Sequence, residues 1–241
     1  MSDFPKIKRM GERAVLVEFE PEISPETLEK VLKLKKFLQE KLIKQKVEVT
    51  SAYNSLIINY LLRIEDVYNE VCGLLEEFSG ANIDEIIESE LFHVPVCYDD
   101  VFGLDLGEIS KAKNLSEKEI IRLHSSVDYL VYFTGFLPGF LYLGGLPQKL
   151  HFSRRSHPRK KVRKGAVGIG EKQTGIYPQT SPGGWNIIGN SPVKLFDPGA
   201  DKPCKISAGD RLRFYQVDLE EHQRILELVK RGEFSIKSEK L

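Results

Sequence analysis

The first third of the chain alternates between strand-like and helix-like hydrophobic patterns. The run AVLVEF at 14–19 and the β-rich runs at 47–53 and 55–62 predict strands. Ser24 followed by Pro25 predicts the start of a helix. Apolar residues at helical spacing predict two helices, from Val31, Leu34, Leu38 and Leu42 and from Ile64, Val67, Val71, Leu74 and Phe78. This order predicts a small α+β unit with both helices on one side of a sheet.

The pattern changes near residue 90, where turns become dense. ELFHVPVCY at 90–98 and DRLRFYQV at 210–217 predict strands. SEKEIIRLH at 116–124 predicts a helix with a capping box, and the segment 218–232 predicts a surface helix between an aspartate and a glycine. Short β-rich runs among many glycines favour a barrel or sandwich. We therefore predict an α+β chain with domains at 1–89 and 90–241.

The uncharged run YLVYFTGFLPGFLYLGGLPQ at 129–148 has the length of a membrane span. Pro138, Gly144 and Pro147 would interrupt a helix there, so we predict a buried strand followed by a tight loop. The start of the sequence lacks the apolar core of a signal peptide. Three widely separated cysteines indicate a reducing compartment, so we expect a cytoplasmic protein without membrane contact.

Charge and motifs exclude several classes of function. Lys and Arg number 35, as do Asp and Glu, so a zero formal net charge predicts no general attraction to nucleic acid or membranes. The five histidines are scattered and no HExxH occurs, so no metal site is expected. GIGEKQ at 168–173 lacks the third glycine of a dinucleotide loop, and GEKQTG at 170–175 is not followed by the Lys-Ser/Thr of a P-loop.

Three features carry candidate chemistry, each with a plain structural alternative. The basic run HFSRRSHPRKKVRKG at 151–165 is either a solvated surface or an anion site. His124 is either a helix-terminal histidine or an acid–base group. Asp105, in YDDVFGLDL at 98–106, is either part of a turn and a helix cap, or a carboxylate that faces a ligand or holds a basic residue.

Four stretches, in this order, resemble the family of the bacterial 5-oxoprolinase B subunits. That family also contains the sporulation kinase inhibitor KipI and the first subunit of allophanate hydrolase. The stretches are CYDDVFGLDL at 97–106, LHSSVDYLVYFTGFLPGFLYLGGLP at 123–147, RRSHPRKKVRKGAVGIGEKQTGIYPQTSPGGWNIIG at 154–189 and LFDP at 195–198. The resemblance implies an N-terminal α+β domain followed by a cyclophilin-like β-barrel.

The resemblance also implies a function. With the A and C subunits, the chain would open 5-oxo-L-proline to L-glutamate at the expense of ATP, which would bind to an unassigned member of the complex, and it would be inactive alone. Two alternatives stay open: a KipI-like inhibitor of a histidine kinase, and a subunit acting on urea-derived amides such as allophanate. The family's usual Val-Pro-Ala-Gly is replaced here by VRKG at 162–165.

A site for ATP-dependent lactam opening needs cations and fixed hydrogen-bond donors. We expect Arg154, Arg155 and Arg159 to bind anionic groups, and His124 and Asp105 to take part in catalysis. The segment QTGIYPQTSPGGWNIIG at 173–189 is uncharged and rigid, and its part from Gln173 to Trp185 is the candidate wall of the pocket. Its candidate ligand-binding residues are Gln173, Thr174, Tyr177, Ser181, Gly183, Gly184 and Trp185. The alternative is that Trp185 only fills the core of a barrel.

Overall fold

The chain folds as two units, 1–87 and 88–241, in a computed structural model that describes residues 5–43, 45–62, 65–80 and 88–241. The first unit is a four-stranded antiparallel sheet, in the order β1-β2-β4-β3, with two helices. Its elements are β1 Lys6–Met10, β2 Ala14–Glu18, α1 Pro25–Lys41, β3 Val47–Ala52, β4 Ser55–Tyr60 and α2 Val67–Gly80.

The predicted elements of the first unit are confirmed. Ser24 Oγ accepts a hydrogen bond from the backbone N–H of Thr27 at 3.2 Å and so caps α1. The apolar stripe of α1, with that of α2, packs against the alternating residues of β2 and β4 in one buried cluster. Strand β1 was not predicted, because its sequence KIKRM shows no apolar alternation. In the structure this strand is mostly exposed, which explains the lack of that pattern. Ile64, used to predict the second helix, lies outside the described residues.

The second unit is built around a closed barrel. Seven strands follow one another in the order β12-β9-β10-β7-β6-β13-β5, and Asn190 of β12 pairs with Cys97 of β5 to close the ring. The elements are β5 Glu90–Cys97, α3 Leu106–Lys113, α4 Glu117–Ser125, β6 Asp128–Thr134, β7 Leu141–Gly144, a 3₁₀ turn Gln148–Leu150, β8 Arg159–Val162, β9 Ala166–Gly170, β10 Gln173–Ile176, β11 Ser181–Gly183, β12 Asn186–Asn190, β13 Arg211–Val217, α5 Leu219–Arg231 and β14 Lys237–Lys240.

Further elements accompany the ring. Strand β14 pairs with β5 outside it, while β8 and β11 form a separate two-stranded ribbon. Within the ring, strands β5 and β13 run parallel, whereas the other strand pairs of the described residues are antiparallel. Helix α5 begins after Asp218, whose carboxylate accepts from the N–H of Glu221, and ends at Gly232 with φ 74°. The α+β class with a barrel domain is therefore confirmed.

The apolar run at 129–148 lies within this barrel. It forms most of β6, the connection to β7, β7 itself and the start of the 3₁₀ turn. The predicted buried strand and tight loop are confirmed, and the chain returns from that loop as a second strand paired with the first. Within the described part of the chain, no helix combines the length and apolar character that a bilayer crossing demands.

Candidate functional site

Asp105 is a buried carboxylate that receives four hydrogen bonds. Arg159 binds it with both terminal nitrogens, Nη1 to Oδ2 at 2.8 Å and Nη2 to Oδ1 at 2.7 Å. Arg155 Nη1 donates to Oδ1 at 2.8 Å, and the backbone N–H of Ile187 donates to Oδ2 at 2.6 Å. Asp105 precedes α3, but its side chain bonds no N–H of that helix. It therefore holds basic residues, one of the alternatives left open by the sequence.

This arrangement positions the two arginines. A carboxylate offers about four lone-pair sites, and here four donors occupy them. The side chain of Asp105 is 2% exposed, whereas those of Arg155 and Arg159 are 30% and 25% exposed. The carboxylate thus lies beneath two guanidinium groups that reach solvent. A role of Asp105 in proton transfer stays a prediction, and these contacts argue for positioning instead.

Two of the predicted cations lie next to the glycines of the 173–189 segment. The backbone N–H of Arg155 donates to the carbonyl oxygen of Gly184 at 2.8 Å. Arg159 pairs with Gly183 in the β8–β11 ribbon. Arg154 is exposed, and its guanidinium carbon lies 5.8 Å from the centre of the Trp185 ring. The structure therefore brings the arginine pair and the glycine pair into one surface region.

The aromatic residues of the segment are part of the core. Trp185 is 4% exposed and packs edge-to-face on Phe140, with ring centroids 5.5 Å apart. Gly170 makes room for it, because a Cβ there would lie 2.4 Å from Trp185 Nε1. Tyr177 is 2% exposed, and burial raises the pKa of its hydroxyl. These positions support the core-filling alternative for Trp185.

The other members of the segment differ in exposure. Gln173 is half-buried, and Gly183 and Gly184 are also partly accessible. Ser181 is buried, and its hydroxyl donates to the carbonyl oxygen of Pro182 at 3.1 Å. A ligand on this surface would therefore reach the glycine backbone more easily than the buried side chains of Thr174 and Ser181.

His124 lies in a separate buried network. Thr174 Oγ1 donates to the carbonyl oxygen of Gly168 at 3.0 Å, so it accepts from the Nε2–H of His124 at 2.8 Å. His124 Nδ1 in turn accepts from the Tyr98 hydroxyl at 2.8 Å. Burial lowers the pKa of His124 to about 3. Proton transfer by His124 stays a prediction, and its lack of exposure and its two occupied nitrogens argue against it.

A cleft next to Arg159 is lined by two further cations of the basic run 151–165, which the sequence analysis did not name individually. Lys161 and Arg163 line it together with Arg159, and Val101 and Leu104 also contribute to the lining. Arg163 belongs to the unusual VRKG segment. The signal was present in the sequence, because Arg159, Lys161 and Arg163 are two residues apart and share one face of an extended chain.

His222 of α5 also lies in a hydrogen-bonded network, and unlike His124 it was not singled out by the sequence analysis. Asn190 Nδ2 donates to the carbonyl oxygen of Lys164, so the amide oxygen of Asn190 accepts from His222 Nε2 at 2.9 Å. The His222 ring packs on Phe102 with centroids 4.6 Å apart, and burial lowers its pKa. No cluster of three or more His, Cys, Asp or Glu suited to a metal ion occurs among the described residues.

The chain consists of a small α+β unit followed by a seven-stranded barrel, which carries a carboxylate–arginine cluster at its surface. These features define the structural class of this protein. The family described as carboxyltransferase domain, subdomain C and D, matches residues 5–206. The chain belongs to this family, and within it to the group that includes the B subunits of 5-oxoprolinase.

Known proteins resemble most of the chain. The 5-oxoprolinase B subunit of Escherichia coli O157:H7 is 38% identical over 205 residues, which cover 85% of this chain and 93% of that protein. Its counterpart in Bacillus subtilis (strain 168), also a 5-oxoprolinase B subunit, is 34% identical, covering 88% and 92%. The crystal structure of TTHA0988 aligns with a TM-score of 0.74 at 32% identity. That alignment covers 86% of this chain but only 40% of the TTHA0988 chain.

Proposed function

We propose that this chain is the B subunit of an ATP-dependent 5-oxoprolinase, which hydrolyses 5-oxo-L-proline to L-glutamate. The observation that carries the proposal is the extent of the match with the Escherichia coli protein, which covers 93% of that protein and 85% of this chain. The similarity therefore includes both units of the fold. Because these relatives are subunits, the match also supports a requirement for partners, which we propose are the A and C subunits.

The chemistry requires stabilisation of negative charge. A lactam carbonyl is a poor electrophile, and phosphorylation of its oxygen at the expense of ATP would create a leaving group. Such a reaction benefits from fixed cations and hydrogen-bond donors near the developing charge. The surface formed by Arg155, Arg159, Gly183 and Gly184 supplies both. ATP is a substrate of the proposed complex, and we assign its binding to no particular subunit.

Arg155 is the cation best suited to contact an anionic group directly. Its Nη1 donates to Asp105 and to Glu108 Oε2, at 2.8 and 3.1 Å. Its Nε and Nη2 make no hydrogen bond within the described residues, so one edge of the guanidinium fork remains for a ligand. Arg159 uses both terminal nitrogens on Asp105 and would contribute mainly its charge.

The remaining candidate residues divide by burial. We propose that Gln173, Arg154 and the two glycines contact ligand or partner, because they are at least partly accessible. Thr174, Tyr177, Ser181 and Trp185 are buried and would act by holding this surface in shape. His124 and Asp105 would act in the same way, through the hydrogen bonds described above. The need for ATP and the release of glutamate favour a cytoplasmic location for the proposed complex.

The test is ADP release by this chain mixed with candidate A and C subunits from the same genome. We expect 5-oxo-L-proline to stimulate release, and we expect the stimulation to disappear when any one chain is omitted. Turnover by this chain alone would contradict the requirement for partners. If the three chains associate but show no stimulation, the proposal fails, and allophanate and kinase autophosphorylation become the next assays.

A further inference from the structure

A cleft of about 500 Å³, counting the part open to solvent, lies between β8 and the segment that joins β5 to α3. We propose that this cleft binds the carboxylate group of a small organic acid and holds the acid's apolar part against Val101 and Leu104. The identity of that acid rests on the proposed function, which offers 5-oxo-L-proline as reactant and L-glutamate as product. Both carry the same α-carboxylate.

One side of the cleft is cationic. Arg159, Lys161 and Arg163 occupy alternate positions along β8 and the residue after it, and all three side chains line the cleft. Lys161 and Arg163 form no ion pair within residues 5–43, 45–62, 65–80 and 88–241. The cleft's lining includes no acidic side chain. Its cations are therefore neutralised only at Arg159, through Asp105.

The segment that joins β5 to α3 contributes exposed apolar side chains to the cleft. Val101 and Leu104 are 55% and 60% exposed, so their aliphatic side chains are accessible to a ligand. Ile187 and Ala166 add to the apolar lining of the cleft. Ligand sites commonly combine such apolar lining with a few convergent polar groups that fix orientation.

The combination selects a small organic anion over a polyanion. A nucleic acid would need an extended basic surface, whereas the formal net charge of the chain is zero and the cations here face into a concave space. Inorganic phosphate would use the cations but would leave Val101 and Leu104 exposed. A carboxylic acid with a short carbon skeleton uses both sides of the cleft.

The experiment uses the assembled complex, with methyl labels on the Val, Leu and Ile residues of this chain. Titration with 5-oxo-L-proline and with L-glutamate, in separate samples, is expected to shift the methyl signals of Val101, Leu104 and Ile187. The double variant Lys161→Gln/Arg163→Gln is expected to weaken binding by about tenfold, because it removes two charged donors. The relative effect of the two ligands identifies the reactant or the product as the better occupant.

The matched control is Lys160→Gln/Lys164→Gln, which removes the same charge from exposed side chains that do not line the cleft. We expect it to bind like the wild type. Equal weakening in both double variants would reduce the effect to general electrostatics and overturn the inference. The inference would also be overturned if inorganic phosphate, added without a carboxylate, shifted the methyl signals of the cleft. Absence of any methyl shift with either carboxylate would overturn it too.

The two proposals fail separately. Normal ADP release without any shift of the cleft's methyl signals would remove the cleft from the reaction and leave the oxoprolinase function intact. Carboxylate-dependent shifts in a complex without stimulated ADP release would support the cleft and contradict the function. In an active complex, the Lys161/Arg163 variant is expected to raise KM about tenfold with little change in kcat.

Discussion

Arg159 and Asp105 are separated by 54 residues in the sequence and are joined by two side-chain hydrogen bonds, of 2.7 and 2.8 Å. This contact links the β8–β11 ribbon to the segment that precedes α3. Asp105 is also bound to the backbone of Ile187, so the link extends to strand β12 of the barrel. The surface on which the proposed function depends is therefore held by one buried carboxylate.

Replacement of that carboxylate is expected to destabilise the chain. Asp105→Asn should lower the free energy of unfolding by about 3 kcal/mol, because two arginines lose their shared counter-charge in a largely buried cluster. Urea unfolding of the variant and the wild type measures the difference. Glu108→Gln is the matched control, since the 59% exposed Glu108 also contacts Arg155. It should change stability by less than about 1 kcal/mol, and equal losses would contradict a special role for Asp105.

The packing around Trp185 predicts a strong effect at Gly170. Gly170→Ala would place a Cβ 2.4 Å from Trp185 Nε1, and the buried indole has little room to move. We expect a loss of about 1–3 kcal/mol, measured by thermal unfolding and by the fluorescence of this single tryptophan.

Gly184→Ala is the control for that substitution, because its Cβ would meet no atom closer than 3.6 Å. Its stability should stay within about 0.5 kcal/mol of the wild type. If Gly170→Ala is equally harmless, Trp185 is not confined as the structure indicates.

The burial of His124 predicts a dependence of stability on pH. Its pKa falls from 6.5 to about 3 on folding, so between these values the unfolded chain binds a proton that the folded chain excludes. Stability therefore rises with pH across this window and is lost as pH falls below 6.5. The contribution is about 1.4 kcal/mol per pH unit within the window.

His124→Gln tests this contribution, because an amide keeps a donor and an acceptor for the same neighbours. The variant should show a shallower decline of unfolding free energy from pH 6 to pH 4.5 than the wild type. Burial also lowers the pKa of His222, and that contribution remains in both proteins. The exposed control His157→Gln should keep the wild-type slope, and identical slopes in all three proteins would refute the effect.

The open edge of the Arg155 guanidinium predicts a kinetic effect in the assembled enzyme. Arg155→Lys keeps the positive charge but loses the planar fork that would stabilise the developing charge, so we expect kcat to fall about tenfold. Steady-state ADP release measures KM and kcat for each complex. Arg122→Lys, on the exposed part of α4, is the matched control and should behave like the wild type. An unchanged kcat in Arg155→Lys would show that this side chain does not stabilise the developing charge.

The sequence alone determined several helix caps and about half of the helices and strands. Ser24 and Asp218 cap their helices as predicted, and Gly232 ends α5. The strands at the start and end of the barrel were also recognisable from short apolar runs. These signals work because capping and side-chain periodicity depend on residues only a few positions apart.

The tertiary structure alone decided the closure of the barrel and the assembly of the site. Pairing of Asn190 with Cys97, the parallel register of β5 and β13, and the contact of Arg159 with Asp105 join residues far apart in the chain. No local pattern specifies such partners. The alternatives for Trp185 and Asp105 stayed open for the same reason, because burial and hydrogen-bond partners depend on which distant segments fold against each residue.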